Sequence, residues 1–190
     1  KRARVRGVQV YGCPAERALA GQRTALNLAD VDTSEMARGM TLAAPGVFRS
    51  TRELDCLLEL LPSAKPLKHR APVPFHAGSA EIEAEVRLFG GTLQPGGKAF
   101  ARLILREPAL LLPHDRFIIR MFSPVITIGG GVVLDNGGLR YRKKADAAAR
   151  LKLISEAGPA ERVAVLAREP GVGIGIAAVV HGTGLLVPGR

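Results

Sequence analysis

Between Glu81 and Leu88 the chain alternates without a break, Glu81-Ile82-Glu83-Ala84-Glu85-Val86-Arg87-Leu88. A period of two puts Ile82, Ala84, Val86 and Leu88 on one face, an arrangement a strand can bury and a helix cannot. Gly90-Gly91 and Pro95-Gly96-Gly97 then set off a second strand, Ala99 to Arg106, closed by Glu107-Pro108. Pro113-His114-Asp115 is a turn before Arg116-Phe117-Ile118-Ile119-Arg120. Val125-Ile126-Thr127-Ile128 runs through Gly129-Gly130-Gly131 into Val132-Val133-Leu134. Short strands this closely spaced, with turns between them, predict an antiparallel barrel or sandwich.

The flanks differ from this centre. Residues 1–48 hold short apolar runs: Val5, Val8 and Val10, a break at Gly12-Cys13-Pro14, then Thr24, Leu26 and Leu28 on one face. Ser34 to Gly39 suits one tight turn. This is barrel material with too few strands to close alone. Leu54, Leu57, Leu58 and Leu61 have the i, i+3, i+4, i+7 spacing of an amphipathic helix. Beyond Tyr141 the composition shifts. Lys144 to Glu156 is Ala-rich and helix-forming, with Ala148, Leu151, Ile154 and Ala157 in phase. Gly158-Pro159 separates a second helix over 160–168, and a third is expected over 173–181.

Charge is the first functional signal. Lys and Arg number 27 against 17 Asp and Glu, a net +10. That excess points to a polyanionic partner, nucleic acid before an acidic membrane surface. Cations collect at Lys65, Lys68, His69 and Arg70; on one strand at Lys98, Arg102 and Arg106; at Arg116 and Arg120; and in the run Arg140, Arg142, Lys143, Lys144. Solvated strand faces and a charged linker would account for any one cluster, but not readily for four on one small barrel. Glu81, Glu83 and Glu85 form an opposing acidic face.

Catalytic chemistry finds no foothold. No GxxxxGK[ST] loop is present, and Gly129-Gly130-Gly131-Val132 lacks the Lys and hydroxyl that would hold a nucleotide and its Mg²⁺. Gly171-Val172-Gly173-Ile174-Gly175 has neither the preceding strand nor the later acid of a dinucleotide site. His69, His76, His114 and His181 do not cluster at metal-ligand spacing, and no Gly-x-Ser-x-Gly elbow occurs. Cys13 and Cys56 read as free thiols in a reducing, cytoplasmic compartment. No apolar run reaches the ~18–20 residues of a membrane span.

Three groups of residues carry a family resemblance. Phe117-Ile118-Ile119-Arg120 followed by Thr127-Ile128-Gly129-Gly130-Gly131-Val132-Val133 is similar to the closing strands of domain 3 in EF-Tu-type factors. There an Arg-Phe-x-x-Arg strand leads into Thr-Val-Gly-x-Gly-Val. Ala20 to Leu28, and the Arg38-Gly39-Met40 exit, resemble the late strands of domain 2 in the same proteins. Leu112 to Phe117, Ser123 to Gly131 and His76 to Glu81 resemble the selenocysteine-specific (SelB) branch, and the helices that follow favour that branch.

The resemblance implies a mainly β chain: EF-Tu-like antiparallel barrels followed by a short all-α, truncated winged-helix segment. It divides the chain into 1–48 (late domain 2), 49–142 (domain 3) and 143–190 (opening of a winged-helix domain), and makes it a piece of a longer protein. It also turns residues 53–61 from a helix into the first strand of domain 3. By family analogy the partners are selenocysteinyl-tRNA and the ribosome, with the selenoprotein mRNA hairpin met through further C-terminal domains, and no membrane. The tRNA-binding positions implied are Lys68, His69, Arg70, His76, Ser79, Arg120 and Ser123. Arg23 would lie at the aminoacyl pocket, where a cation favours a selenolate. No cofactor is expected here, GTP and Mg²⁺ belonging to the full-length protein. The rivals are another translational GTPase with the same barrels, and a protein-interaction barrel whose basicity is incidental.

Overall fold

The computed structural model describes residues 1–136 and 139–167. The expected third helix, the Gly171–Gly175 loop and His181 lie outside the described residues. The described residues divide into two compact units, the first Lys1–Arg38 and the second beginning at Gly39.

In the first unit, β1 (Arg4–Val10) lies between β2 (Cys13–Ala15) and β3 (Thr24–Ala29) in an antiparallel sheet. Tyr11 and Gly12, at φ 52° and 87°, make the two-residue hairpin between β1 and β2. The expected break at Gly12-Cys13-Pro14 is therefore a turn followed by a strand. Pro14 fits there because β2 is an edge strand with one side unpaired. The tight turn comes slightly earlier than expected, at Thr33–Glu35, closed by a capping box from Asp32 and an ion pair from Lys1 to Glu35 at 2.6 Å.

The second unit is built on a closed barrel, β4-β7-β6-β5-β8-β9, antiparallel throughout. Its strands are β4 (Thr51–Leu60), β5 (Ala71–Ala77), β6 (Ala80–Leu88), β7 (Lys98–Ala109), β8 (Arg116–Arg120) and β9 (Thr127–Asp135). Ala84, Val86 and Leu88 point inward as the alternation requires, joining Phe75, Leu103, Phe117 and Ile119 in the core. β7 does not stop at Glu107-Pro108 but continues to Ala109 beside a register shift opposite Thr51 and Glu53, where Pro108 is exposed.

β4 explains its own helix-like spacing. Leu54, Cys56, Leu58 and Leu60 face the barrel core, while Leu57 packs outward against a second apolar cluster. A strand covered on both faces loses its clean alternation. The second cluster is the floor for α1 (Lys144–Glu156) and α2 (Pro159–Ala167), with Leu134, Leu151, Ile154 and Leu166 at its centre. Ala147, rather than Ala148, completes the fully buried row on α1. Gly129, Gly130 and Gly131 are where the barrel closes. A Cβ at these positions would press on the carbonyl oxygens of Glu59, Phe117 and Leu57 in turn.

A polar layer also lies between helices and barrel. Arg102 donates from Nε and Nη2 to both oxygens of Asp55, at 2.7 and 2.9 Å, and from Nη2 to the Leu139 carbonyl at 2.6 Å. The Tyr141 hydroxyl donates to Asp55 (2.9 Å) and accepts from Arg150 Nη1 (2.9 Å), and Arg150 pairs with Asp135 at 2.6 Å. Arg162 of α2 is 2% exposed, donates to the Leu134 carbonyl and lies 3.1 Å from His114 Nε2. Burial pushes the Asp55 carboxyl up against the opposing pull of Arg102, and pushes Tyr141 up as well. For Arg102 burial works against the charge, but the bonds to Asp55 outweigh it and raise its pKa.

Candidate nucleic-acid interface

Strand direction decides which candidates meet. β5 runs from Ala71 to Ala77, and β8 runs against it, with Phe75 opposite Ile119 and His76 opposite Ile118. The loop before β5 and the turn after β8 therefore share one end of the barrel. Lys68, His69 and Arg70 belong to that end and Ser123 lies in the turn that runs toward it, whereas Arg120, next to Ile119, stands near the middle of β5. Ser79 belongs to the opposite end and His76 lies one residue short of it, about 20 Å away along β5 at ~3.3 Å per residue.

At the first end, Lys68, His69 and Arg70 are all exposed. The loop is held by its backbone: Arg70 N–H donates to the Val86 carbonyl at 2.7 Å, and Ala71 N–H donates to the Lys68 carbonyl at 3.3 Å. Arg70 takes the left-handed conformation, φ 64°, which turns the chain sharply into β5. Arg87 stands beside this loop because Val86 pairs with Ala71. It binds Glu85 at 2.6 Å. Glu85 is held below the usual carboxylate range, first by the hydrogen bond from Arg87, with Arg70 and His69 adding to the effect. Nothing in the alternating sequence marks Arg87 out; only the pairing of its neighbour Val86 with Ala71 brings it to the loop.

Arg120 is half-buried and donates from Nη2 to the Val125 carbonyl at 2.9 Å. It braces the turn that carries exposed Phe122 and Ser123. At the far end, Ser79 Oγ accepts from Gly39 N–H at 3.0 Å, so its oxygen serves the chain entering the barrel. His76 is half-buried, 4.0 Å from Glu81, and its Nε2 has no partner among the described residues. A cleft of about 360 Å³ opens beside Ser79, lined by Thr41, Leu110, Leu112 and Arg116 among others. Arg23, exposed just before β3, belongs to the first unit.

One expected cluster dissolves. Lys98 pairs with Glu59 (2.9 Å), Arg102 is buried against Asp55, and Arg106 pairs with Glu83 (3.2 Å). This strand's cations are matched by acids on β4 and β6, which register alone brings opposite them. Among the described residues no group of three His, Cys, Asp or Glu could hold a metal ion. No helix among them is long and apolar enough to cross a membrane.

Comparison with known proteins bears on this barrel directly. Residues 55–138 match the family described as the β-barrel domain of selenocysteine-specific elongation factor. A selenocysteine-specific elongation factor from Desulfomicrobium baculatum is 39% identical over 144 residues, covering 75% of this chain and 23% of its own. One from Escherichia coli (strain K12) is 32% identical over 149 residues, covering 76% of this chain and 22% of its own. The crystal structure of a bacterial selenocysteine-specific elongation factor, EF-Sec, superposes with a TM-score of 0.73 at 24% identity, covering 96% of this chain and 28% of that one. At that identity the likeness shows the fold. The chain thus spans about a quarter of the length of the relatives it matches.

Proposed function

The chain belongs to the selenocysteine-specific elongation factor family, and from that premise we propose that it supplies the tRNA-gripping part of such a factor. The observation that carries the reading is the cationic end of the barrel, where exposed Lys68, His69 and Arg70 stand beside Arg87 and the turn bearing Ser123. Lys and Arg there would pair phosphates, while Ser123 and backbone amides would reach ribose hydroxyls. Arg120 would act by holding the turn in place. His76 and Ser79 would make a separate contact at the far end. Arg23 would favour an anionic selenolate at the aminoacyl pocket.

On this reading residues 1–48 correspond to late domain 2 and residues 49–142 to domain 3, residues 39–48 belonging to the same compact unit as the barrel, and residues from 143 open a winged-helix domain. GTP, with its Mg²⁺, would be handled by a GTPase domain outside these 190 residues. This piece would itself hydrolyse nothing. The selenocysteinyl-tRNA, the ribosome and the cytoplasm would be its partners and place, and the mRNA hairpin would be met by further winged helices.

The test is a titration of labelled selenocysteine tRNA with the chain at several salt concentrations. The expected affinity falls with salt, at about 0.9 in log–log slope per phosphate neutralised. Lys68→Gln with Arg70→Gln should lower that slope by roughly 1–2. An absent interaction, or one indifferent to salt, would sink the proposal in favour of a protein-binding barrel.

A further inference from the structure

The junction between barrel and helices carries charge that the proposed tRNA grip leaves unused. Arg140, Arg142, Lys143 and Lys144 are all exposed, and over residues 140–146 the only acid is Asp146. None of the four side chains has a hydrogen bond or ion pair to another described residue, although the Lys143 carbonyl accepts from Ala147 N–H as α1 begins. The strand cations Arg87, Lys98, Arg102 and Arg106 each have a carboxylate partner.

The placement runs against helix electrostatics. Lys143 occupies the N-cap of α1 with no side-chain cap bond, Lys144 opens the helix, and its last turn holds no basic residue. Cations at a helix N-terminus oppose its dipole, while the end that would welcome them is bare. Folding alone would favour the reverse order.

The segment is nonetheless clamped. Its backbone is held at Leu139, whose carbonyl accepts from Arg102. Its Tyr141 side chain is held by Asp55 and Arg150, with Phe89 edge-on at 5.8 Å and the Arg102 guanidinium 5.2 Å over the ring. Arg140 lies between two fixed residues, and Arg142 to Lys144 follow directly. A charged linker that only kept the chain soluble would need no such clamp. A preorganised cationic surface does, because ordering flexible side chains at the moment of binding costs affinity.

We infer that Arg140, Arg142, Lys143 and Lys144 form a second polyanion-binding surface, distinct from the cationic barrel end, that takes the phosphate backbone of a folded RNA. Tyr141 is its positioning residue. The choice of RNA over other polyanions rests on the proposed function.

The test uses the whole chain and a variant carrying Arg140→Gln, Arg142→Gln, Lys143→Gln and Lys144→Gln. The probes are a selenocysteine tRNA transcript, a plain RNA hairpin and phosphatidylglycerol vesicles. The variant should melt like the parent, yet bind RNA about tenfold more weakly near 0.1 M salt, with a log–log salt slope lower by roughly 2–4. Loss on the tRNA alone would mark a tRNA contact, and equal loss on both RNAs would mark a general RNA-backbone surface such as ribosomal RNA offers. Tyr141→Phe, which keeps every charge, should give a smaller loss of the same kind. Unchanged affinity and slope on both RNAs, or a loss confined to the vesicles, would overturn the inference. Lys68→Gln with Arg70→Gln, run in parallel, separates the two ideas. If it alone weakens binding, the second surface fails and the tRNA grip stands; if the parent binds no RNA, both fail.

Discussion

Replacing Asp55 with Asn tests whether the helical layer is bolted to the barrel through its polar interior. The substitution keeps the side chain's shape and removes its charge. It strips Arg102 of its bidentate partner and leaves the guanidinium the Leu139 carbonyl and Glu53, the latter at 3.4 Å. It also weakens the acceptor for Tyr141. Asp55 is 2% exposed and Arg102 9%. At that depth, breaking one partner of an ion pair costs about 3–5 kcal/mol, much of it from the orphaned charge. Asn still accepts one hydrogen bond, which places the expected loss near 3 kcal/mol. That is a large share of the ~5–15 kcal/mol stabilising a typical domain. Urea unfolding followed by far-UV circular dichroism reads it, since the chain has no Trp. Asp55→Leu combined with Arg102→Met should recover most of the loss, because an apolar pair leaves no unpaired charge. A loss below about 1 kcal/mol for Asp55→Asn, the range of a solvated surface pair, would refute the buried geometry.

Further expectations concern closure, titration and reactivity. Gly131→Ala should destabilise the barrel by about 3 kcal/mol or prevent folding, since its methyl meets the Leu57 carbonyl and the Phe117 ring; an unchanged melting temperature would contradict the close approach. His114 has its pKa lowered, first by burial and then by Arg162. A depressed folded-state pKa gives stability that is complete above the unfolded value near 6.5 and is lost as pH falls through the folded one. Melting between pH 7.5 and 5 should therefore fall more for the parent than for His114→Gln. Cys56 is fully buried and its thiol is pushed far up by burial, whereas Cys13 is exposed. One thiol should react with an aromatic disulfide reagent in the folded chain and two after unfolding; two at once would contradict the core placement.

Much of the barrel could be read from local pattern. β6 announced itself by alternation, and α1 matched its expected limits because its Ala-rich run stands between distinct boundaries. β4 could not be read from periodicity, since Leu57 serves the helical layer while Leu54 and Leu58 serve the core. Family resemblance made it a strand. The glycine triplet was visible but its reason was not, because only pairing with both β4 and β8 shows that no side chain fits. The same limit explains the charges. Arg102 looked like a phosphate ligand until register set Asp55 opposite it, and Arg87 looked ordinary until register set it beside the 68–70 loop. The seven residues chosen by resemblance were a list along the chain; strand direction sorts four to one end of the barrel and two toward the other, and leaves Arg120 near mid-strand.

The most direct test of the tRNA-gripping barrel is lysine footprinting of the chain with and without saturating selenocysteine tRNA. Lys68 is exposed at the cationic end, and Lys1 is tied to Glu35 in the first unit. The account predicts strong protection of Lys68 from acylation in the complex, reversed by raising the salt, while Lys1 reacts as before. Lys68 modified at the same rate in free and saturated protein would contradict it.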